Sequence, residues 1–407
     1  MSKSHTDPTP EAIAPLRIVQ FNSMLTGGGT DDQCIKLARG LLDLGQDVRL
    51  AGPREPPLAP LLRLHAIPTA PGGGGSLLRC ILACARALRL ERLQIVHAHH
   101  GRDFWPAVWA ARLSGCRPKI VLTRHLAKSP SSWMSRHFLL AHSDALVAVS
   151  AFVATVLRQG VFEPDSPEPE RRARPPLRGD LSKIHVIFGG IDTGSFRPAD
   201  APAKRLQLGL APDQFALAVV GGYDFPRGKG QREFLAAAAR VHEQIPHARF
   251  LIIGRGNMEE VLKADIARLG LSGKAWLAGY WPDMPQVMNA LDCLVHPQIG
   301  TEALGLVVCE AHACGKPVIA SALDGIPEAF AAANYGRLVQ PENIDQLAQA
   351  MAAQAAQPPL GQTERETLHA RVHSVFSMER SAHDILRLYR RLLTPPPASA
   401  SGHTGTN

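Results

Sequence analysis

The sequence predicts an α/β protein made of two doubly wound, Rossmann-like domains that face each other across a cleft. Three observations carry this prediction. Apolar, strand-like runs alternate with amphipathic helical stretches along most of the chain, the pattern of a parallel sheet covered by helices. The alternation halts and restarts once, near residues 190–198. A length of 407 residues is enough for two or three domains with substantial cores.

Residues 1–15 read as a disordered tail. LRIVQFNSM (16–24) is a first strand, GGGTDDQ breaks it, and CIKLARGLLDLG places apolar residues at helical spacing. QDVRLAG follows as a strand, PGGGGS (71–76) as a flexible link and 77–92 as a helix. LQIVHAHH (93–100) is a buried strand ending in histidines, followed by helix WPAVWAARLSG and strand KIVLTRH (119–125). DALVAVS (144–150) is a strand and AFVATVLRQG a helix. The polar, Pro-rich stretch 163–179 reads as a flexible insert. KIHVIFGGID (183–192) closes the first domain, placed at 16–192.

The second domain, 198–378, starts at FALAVVGGYD (215–224). It runs through helix REFLAAAARVHEQI, strand RFLIIGRG, helix MEEVLKADIARLG, strand AWLAGYW, helix MPQVMNAL and strand LDCLVHP. Strand GRLVQP and helix IDQLAQAMAAQAAQ follow, then a last helix at 379–393 and a disordered tail at 394–407. A ligand is expected between the domains, at the carboxyl edges of both sheets.

Hydrophobic content of 45% and charged content of 20% fit a globular enzyme. No apolar run approaches the roughly 18 residues that span a bilayer, and the N-terminus shows no secretory h-region. Seven cysteines without a C-x-x-C pattern argue against a disulfide framework or a zinc site. The expected location is the cytoplasm, or its periphery at the inner face of the membrane. Residues 1–190 hold 24 Lys and Arg against 15 Asp and Glu, so the formal +8 sits in the first half. That basic half suits an anionic partner such as a phosphate, an acidic glycan or an anionic membrane surface. Nucleic acid does not fit, because aromatics make up only 5% of residues and do not interleave with the basic ones.

The most informative stretch is VHPQIGTEALGLVVCEAHACGKPVIASALDGIPE (295–328). A strand leads into a loop carrying Glu302 and Gly305, then a helix containing Glu310, then another buried strand. Such a unit sets backbone N–H groups and a positive helix end at the edge of a parallel sheet, where a nucleoside diphosphate binds well. Glu302 and Glu310 flank that point and can take sugar and ribose hydroxyls.

This Glu-x7-Glu unit with GKPVIAS and GIPE resembles the donor site of retaining GT-B glycosyltransferases, in particular glycosyltransferase family 4 of the lipopolysaccharide and surface-polysaccharide type. The segment IHVIFGGIDTGSFRP (184–198) is similar to the family's interdomain signature, with Gly189 in place of an Asn. The resemblance spans residues 16–393 and implies the GT-B fold, with the last helix crossing back to the first domain. It implies that Gly28, Gly29 and Thr30 of the glycine loop approach the acceptor and donor phosphates. Lys229 and Arg227, in VVGGYDFPRGKGQ, would form the phosphate clamp, although no Arg directly follows Gly222 as it does in many members. A leaving nucleoside diphosphate gains charge as the glycosidic bond breaks, and fixed cations stabilise it.

By the same resemblance His125, in Thr123–Arg124–His125, adjoins the reacting centre. Glu302 holds the transferred sugar and Glu310 the ribose. Leu304, Gly305 and Leu306 support the diphosphate, Gly222 belongs to the nucleotide site, and the loop of Tyr280 and Trp281 holds the base through main-chain atoms, with Trp281 either stacking on it or simply packing. His99, Arg102 and Lys128 are acceptor contacts, and His97 reads equally well as a satisfied core residue. No cofactor is implied beyond a UDP- or GDP-sugar co-substrate, and no metal, since Asp-x-Asp is absent. The acceptor would be a glycan or a lipid-linked molecule. Alternatives are a regulatory GT-B protein that binds a nucleotide sugar without transfer, or a GT-B epimerase or phosphorylase.

Overall fold

The computed structural model describes residues 14–23, 28–52, 66–68, 77–166 and 169–394. The expected terminal tails (apart from residues 14, 15 and 394), the first glycine of the triplet and the 71–76 link fall outside these residues.

The first sheet is formed by β1 (Arg17–Phe21), β2 (Asp47–Gly52), β3 (Ala66–Pro68), β4 (Ile95–Ala98), β5 (Lys119–Arg124), β6 (Ala145–Ala148) and, after a small hairpin of β7 (Val161–Phe162) and β8 (Ala173–Arg174), β9 (Ile184–Val186). Its order is β3-β2-β1-β4-β5-β6-β9, and every pairing is parallel. The second sheet comprises β10 (Phe215–Val220), β11 (Ala248–Ile253), β12 (Ala275–Gly279), β13 (Cys293–His296), β14 (Val318–Ser321) and β15 (Gly336–Val339). Its order is β12-β11-β10-β13-β14-β15, again parallel throughout. Winding reverses between β1 and β4 in one sheet and between β10 and β13 in the other. A doubly wound sheet opens a ligand crevice at such switch points.

Strands buried on both faces need continuous apolar runs. Ile18, Val19 and Phe21 of β1 and Leu217, Ala218 and Val219 of β10 are fully buried. Helix Gly29–Asp43 buries Cys34, Leu37, Ala38 and Leu41, one stripe at helical spacing. The seven cysteines are free thiols and all but Cys116 are buried. Among the described residues no helix is long and apolar enough to cross a membrane.

The last helix, Met378–Leu393, buries Ala382, Ile385, Leu386, Leu388 and Tyr389 against the first domain, beside Ile18, Leu37 and Leu41. It starts beside the interdomain linker. Ile191 N donates to Phe376 O at 2.8 Å, and Met378 N donates to Ile191 O at 2.9 Å. The two crossing strands of chain are so close that a Cβ on Gly190 would lie 2.6 Å from Met378 Cα. Gln33 grips the same linker, with its amide donating to Gly190 O at 2.7 Å and accepting from Gly190 N at 3.0 Å.

One expectation is corrected. Residues 163–179 are not an unstructured insert: apart from 167–168, which lie outside the described residues, they form a short helix (Pro169–Arg172), strand β8 and turns. The physical reason is Arg174, which is 1% exposed. Its guanidinium pairs with Glu163 and reaches across to Asp324 of the second domain at 3.0 and 3.1 Å. A polar, Pro-rich composition conceals a buried ion pair of this kind. A second tie crosses the domains nearby, where the Glu328 carboxylate accepts from Ala151 N at 2.7 Å and Phe152 N at 2.6 Å. This places a negative charge at a helix N-terminus.

Outside the insert and its hairpin, the elements without a counterpart in the sequence reading include β3 and helices Trp133–Phe138, Pro202–Gln207, Ile326–Ala331 and Gln362–Phe376. The longest of these, Gln362–Phe376, buries only Leu368, Val372 and Phe376. A stripe of one residue per turn is too narrow to stand out in a polar stretch.

Candidate active site

Between the domains lies a cavity of about 430 Å³, lined from both sheets' carboxyl edges. The first domain contributes Gly29, Thr30 and Gln33 from the start of helix Gly29–Asp43, and His125 after β5. The second contributes Gly221 after β10, Lys229 in the following loop, His296 at the end of β13, and Glu302 to Val307 with Glu310.

Lys229 is placed by tight turns. Its backbone N–H donates to Gln231 Oε1 at 2.6 Å. Gly230 (φ 86°) then opens helix Gln231–Val241, where a Cβ would lie 2.0 Å from Pro297 O. The loop after β13 therefore packs directly on the lysine loop. Lys229 Nζ donates to Glu302 Oε2 at 2.7 Å, and its side chain is 35% exposed. Burial raises the Glu302 carboxyl, but Lys229 and then His296 outweigh it and hold it below its ordinary value. Glu302 N donates to Asp324 Oδ2 at 3.2 Å, so the buried Arg174–Asp324 pair anchors the backbone of this acid.

Glu310 sits one helical turn inside helix Leu306–Ala313. Burial pushes its carboxyl up to about 7; Lys36, from the facing helix, lowers it and Asp32 raises it. A carboxyl whose folded pKa exceeds its unfolded value binds extra protons when folded. Its stabilisation is full below about 4.5 and is lost as pH rises through about 7. Histidines held low by burial, such as His125 at about 3, act in the opposite sense, losing stability as pH falls below 6.5. The comparison of Glu310→Gln with the parent isolates the carboxyl. In the unliganded protein, the melting-temperature advantage of the variant is expected to grow from pH 4.5 to pH 7, and a flat difference across that window would refute the shift.

His125 is oriented by a chain of hydrogen bonds. Gln20 Nε2 donates to Tyr389 OH at 3.1 Å, which leaves Gln20 Oε1 to accept from His99 Nε2 at 2.6 Å. His99 Nδ1 is then an acceptor, 3.2 Å from His125 Nε2. The His125 Nε2 proton points into the protein and Nδ1 keeps its lone pair. His97 is a satisfied core residue, bonded to Tyr389 OH at 2.5 Å and Thr123 Oγ1 at 2.6 Å.

Among the sequence-predicted residues, the cavity collects His125, Glu302, Lys229, Glu310, Leu304, Gly305, Leu306, Gly29 and Thr30. It does not collect the others. Arg227 stands outside the lining, where its charge acts on Glu233. Gly222 is exposed and its neighbour Gly221 takes its place. Gly28 precedes the first helix without lining the cavity. Tyr280 is 61% exposed, with Arg255 4.9 Å over its ring. Trp281 packs into the second-domain core, its Nε1 donating to Ala278 O at 2.8 Å. His99 stands behind His125, Arg102 is exposed, and Lys128 pairs with Glu170 at 3.1 Å. The lining residues missed by sequence reasoning include Gln33, Gly189, Met284 and above all His296. The VHP strand end was the only signal for His296.

The second half, residues 214–356, matches the family model of glycosyl transferases group 1, and residues 27–166 match that of glycosyltransferase family 4. The HepE protein of Anabaena, solved with UDP and glucose, superimposes with a TM-score of 0.73 at 20% identity, covering 92% of this chain and 100% of that one. The chain has the GT-B fold, and its two halves are similar to glycosyl transferases of group 1 and to glycosyltransferase family 4. The D-inositol 3-phosphate glycosyltransferase of Segniliparus rotundus is 35% identical over 227 residues, 53% of this chain and 48% of that protein. The phosphatidyl-myo-inositol mannosyltransferase of Mycolicibacterium smegmatis is 27% identical over 337 residues, 80% of each chain. The chain thus spans about half the length of the first of these curated relatives. These two curated relatives carry inositol-linked names, not lipopolysaccharide ones.

Proposed function

We propose that this protein is a retaining, metal-independent glycosyltransferase that moves a sugar from a UDP- or GDP-sugar to a phosphorylated or lipid-linked acceptor. The observation that carries the reading is the convergence of Lys229, Glu302 and Glu310 around one helix start, in the cleft between two facing sheets. Lys229 takes the diphosphate, Glu302 the hydroxyls of the transferred sugar and Glu310 the ribose. The C1–oxygen bond breaks and its electron pair leaves with the nucleoside diphosphate, stabilised by Lys229 and the helix N-terminus. The acceptor hydroxyl attacks from the same face, and its proton passes to the departing phosphate oxygen. An acceptor bearing phosphate suits the basic first half. Both inositol-linked relatives name such a molecule, which favours this class over a lipopolysaccharide intermediate.

A thermal-shift panel of nucleotide sugars tests the reading, since a ligand at 100 times its Kd stabilises by about 2.7 kcal/mol. One base and one sugar should raise the melting point above all others. Binding without any transfer to phosphorylated polyols or glycolipids would point to a regulatory protein. Transfer should also survive EDTA, the phosphate charge being met by Lys229. Activity abolished by chelation and restored by magnesium or manganese would overturn the assignment of the phosphate site.

A further inference from the structure

His296 ends β13 and faces the cavity, yet only 1% of it is exposed. Neither of its ring nitrogens has a hydrogen-bond partner among the described residues. The nearest acid is Glu302, whose Oε2 lies 3.9 Å from Nε2, too far for a hydrogen bond. That oxygen is already occupied by Lys229 at 2.7 Å. Buried polar groups in folded proteins are nearly always paired. Two buried histidines of the first domain obey the rule: His97 is bonded at both nitrogens, and so is His99.

Burial, with a smaller contribution from Lys229, holds the His296 imidazole low, at about 4. The ring is therefore neutral near pH 7 and offers one N–H donor and one lone-pair acceptor on different sides. A diphosphate only accepts, so it can satisfy one of the two nitrogens. Sugar hydroxyls both donate and accept, so they can satisfy both. Glu302 beside it is an acceptor only, and the two side chains present complementary groups at one end of the cavity.

We propose that His296 binds hydroxyls of the transferred sugar and forms, with Glu302, the pair that recognises which sugar is carried. The proposal rests on the cavity being a nucleotide-sugar site. It assigns His296 to the sugar and not to the diphosphate, and it explains why a buried imidazole is left without a protein partner.

Calorimetric titration of wild type, His296→Phe and His296→Gln with UDP, UDP-glucose, GDP and GDP-mannose tests it. His296→Phe should bind the bare diphosphate of the preferred base within about twofold of wild type. It should bind the corresponding nucleotide sugar about tenfold or more weakly, as expected for loss of hydrogen bonds that leaves ligand hydroxyls unmet. His296→Gln, which keeps a donor and an acceptor, should recover part of the loss. The melting temperature of unliganded His296→Phe should equal or exceed that of wild type, because an unpaired polar group has been removed. Equal affinity of wild type and His296→Phe for the nucleotide sugar would overturn the proposal. So would equal loss for the bare diphosphate, or a lowered melting temperature that marks a structural histidine. Failure of wild type to bind any nucleotide or nucleotide sugar is a different result and removes the reading of the cavity itself.

Discussion

Lys229→Ala should lower turnover by about 10²-fold or more, the usual loss when a fixed group facing developing charge is removed. The lysine is the cation that the second-domain loop delivers to the cavity, and the hydrogen bond from its backbone to Gln231 fixes where its stem begins. Arg227 does not line the cavity, and its charge acts on Glu233, so it is not expected to substitute. The substitution should also cost stability. Lys229 is the partner of Glu302 at 2.7 Å, and removing it leaves that acid unpaired where burial already disfavours its charge. The expected cost is about 1–3 kcal/mol, more than a surface lysine would carry. Steady-state kinetics and a denaturation curve on the same preparation separate the two effects. Near wild-type turnover would place the phosphate contact elsewhere.

Arg174→Ala should be the most destabilising single change, at about 3–5 kcal/mol, because it strips the partner from a buried acid. Asp324 has a side chain only 2% exposed and faces Arg174 at 3.0 Å. Burial raises its carboxyl even with the arginine in place. The guanidinium also lies 5.2 Å over the Phe152 ring and ties the insert to the second domain. Arg174→Met with Asp324→Asn removes both charges and should recover much of the loss, which a double-mutant cycle measures. Transfer should fall as well, since Asp324 anchors Glu302 N. A shift below about 1 kcal/mol in urea denaturation would show that the pair is not formed in solution.

The fold was legible because parallel strands buried on both faces must be apolar runs and their crossover helices must be amphipathic. Both patterns survive in one sequence, as in β10 and helix Gly29–Asp43. Helix Gln362–Phe376 was hidden because it shows the core one residue per turn. The insert was misread because composition reports average solvation, and a single buried arginine is outvoted by its polar neighbours. Within the site, Glu302, Lys229 and Glu310 were readable from spacing in the chain. Gln33, Gly189 and His296 were not, because their relation to the cavity depends on how the two domains meet and on what each side chain lacks as a partner. Trp281 and Tyr280 show the converse. An aromatic at a strand end suggests stacking on a base, but one packs inward under its own hydrogen bond and the other stands out beside Arg255.

The central claim is that the cleft holds a nucleotide sugar by its diphosphate on Lys229. The most direct measurement is calorimetric titration of wild type and Lys229→Ala with uridine and guanosine diphosphates and their sugars in EDTA. One base should bind wild type with one site per chain, and the affinity should fall at least about tenfold in Lys229→Ala. Absence of binding to folded wild type, or equal affinity in the variant, would contradict it.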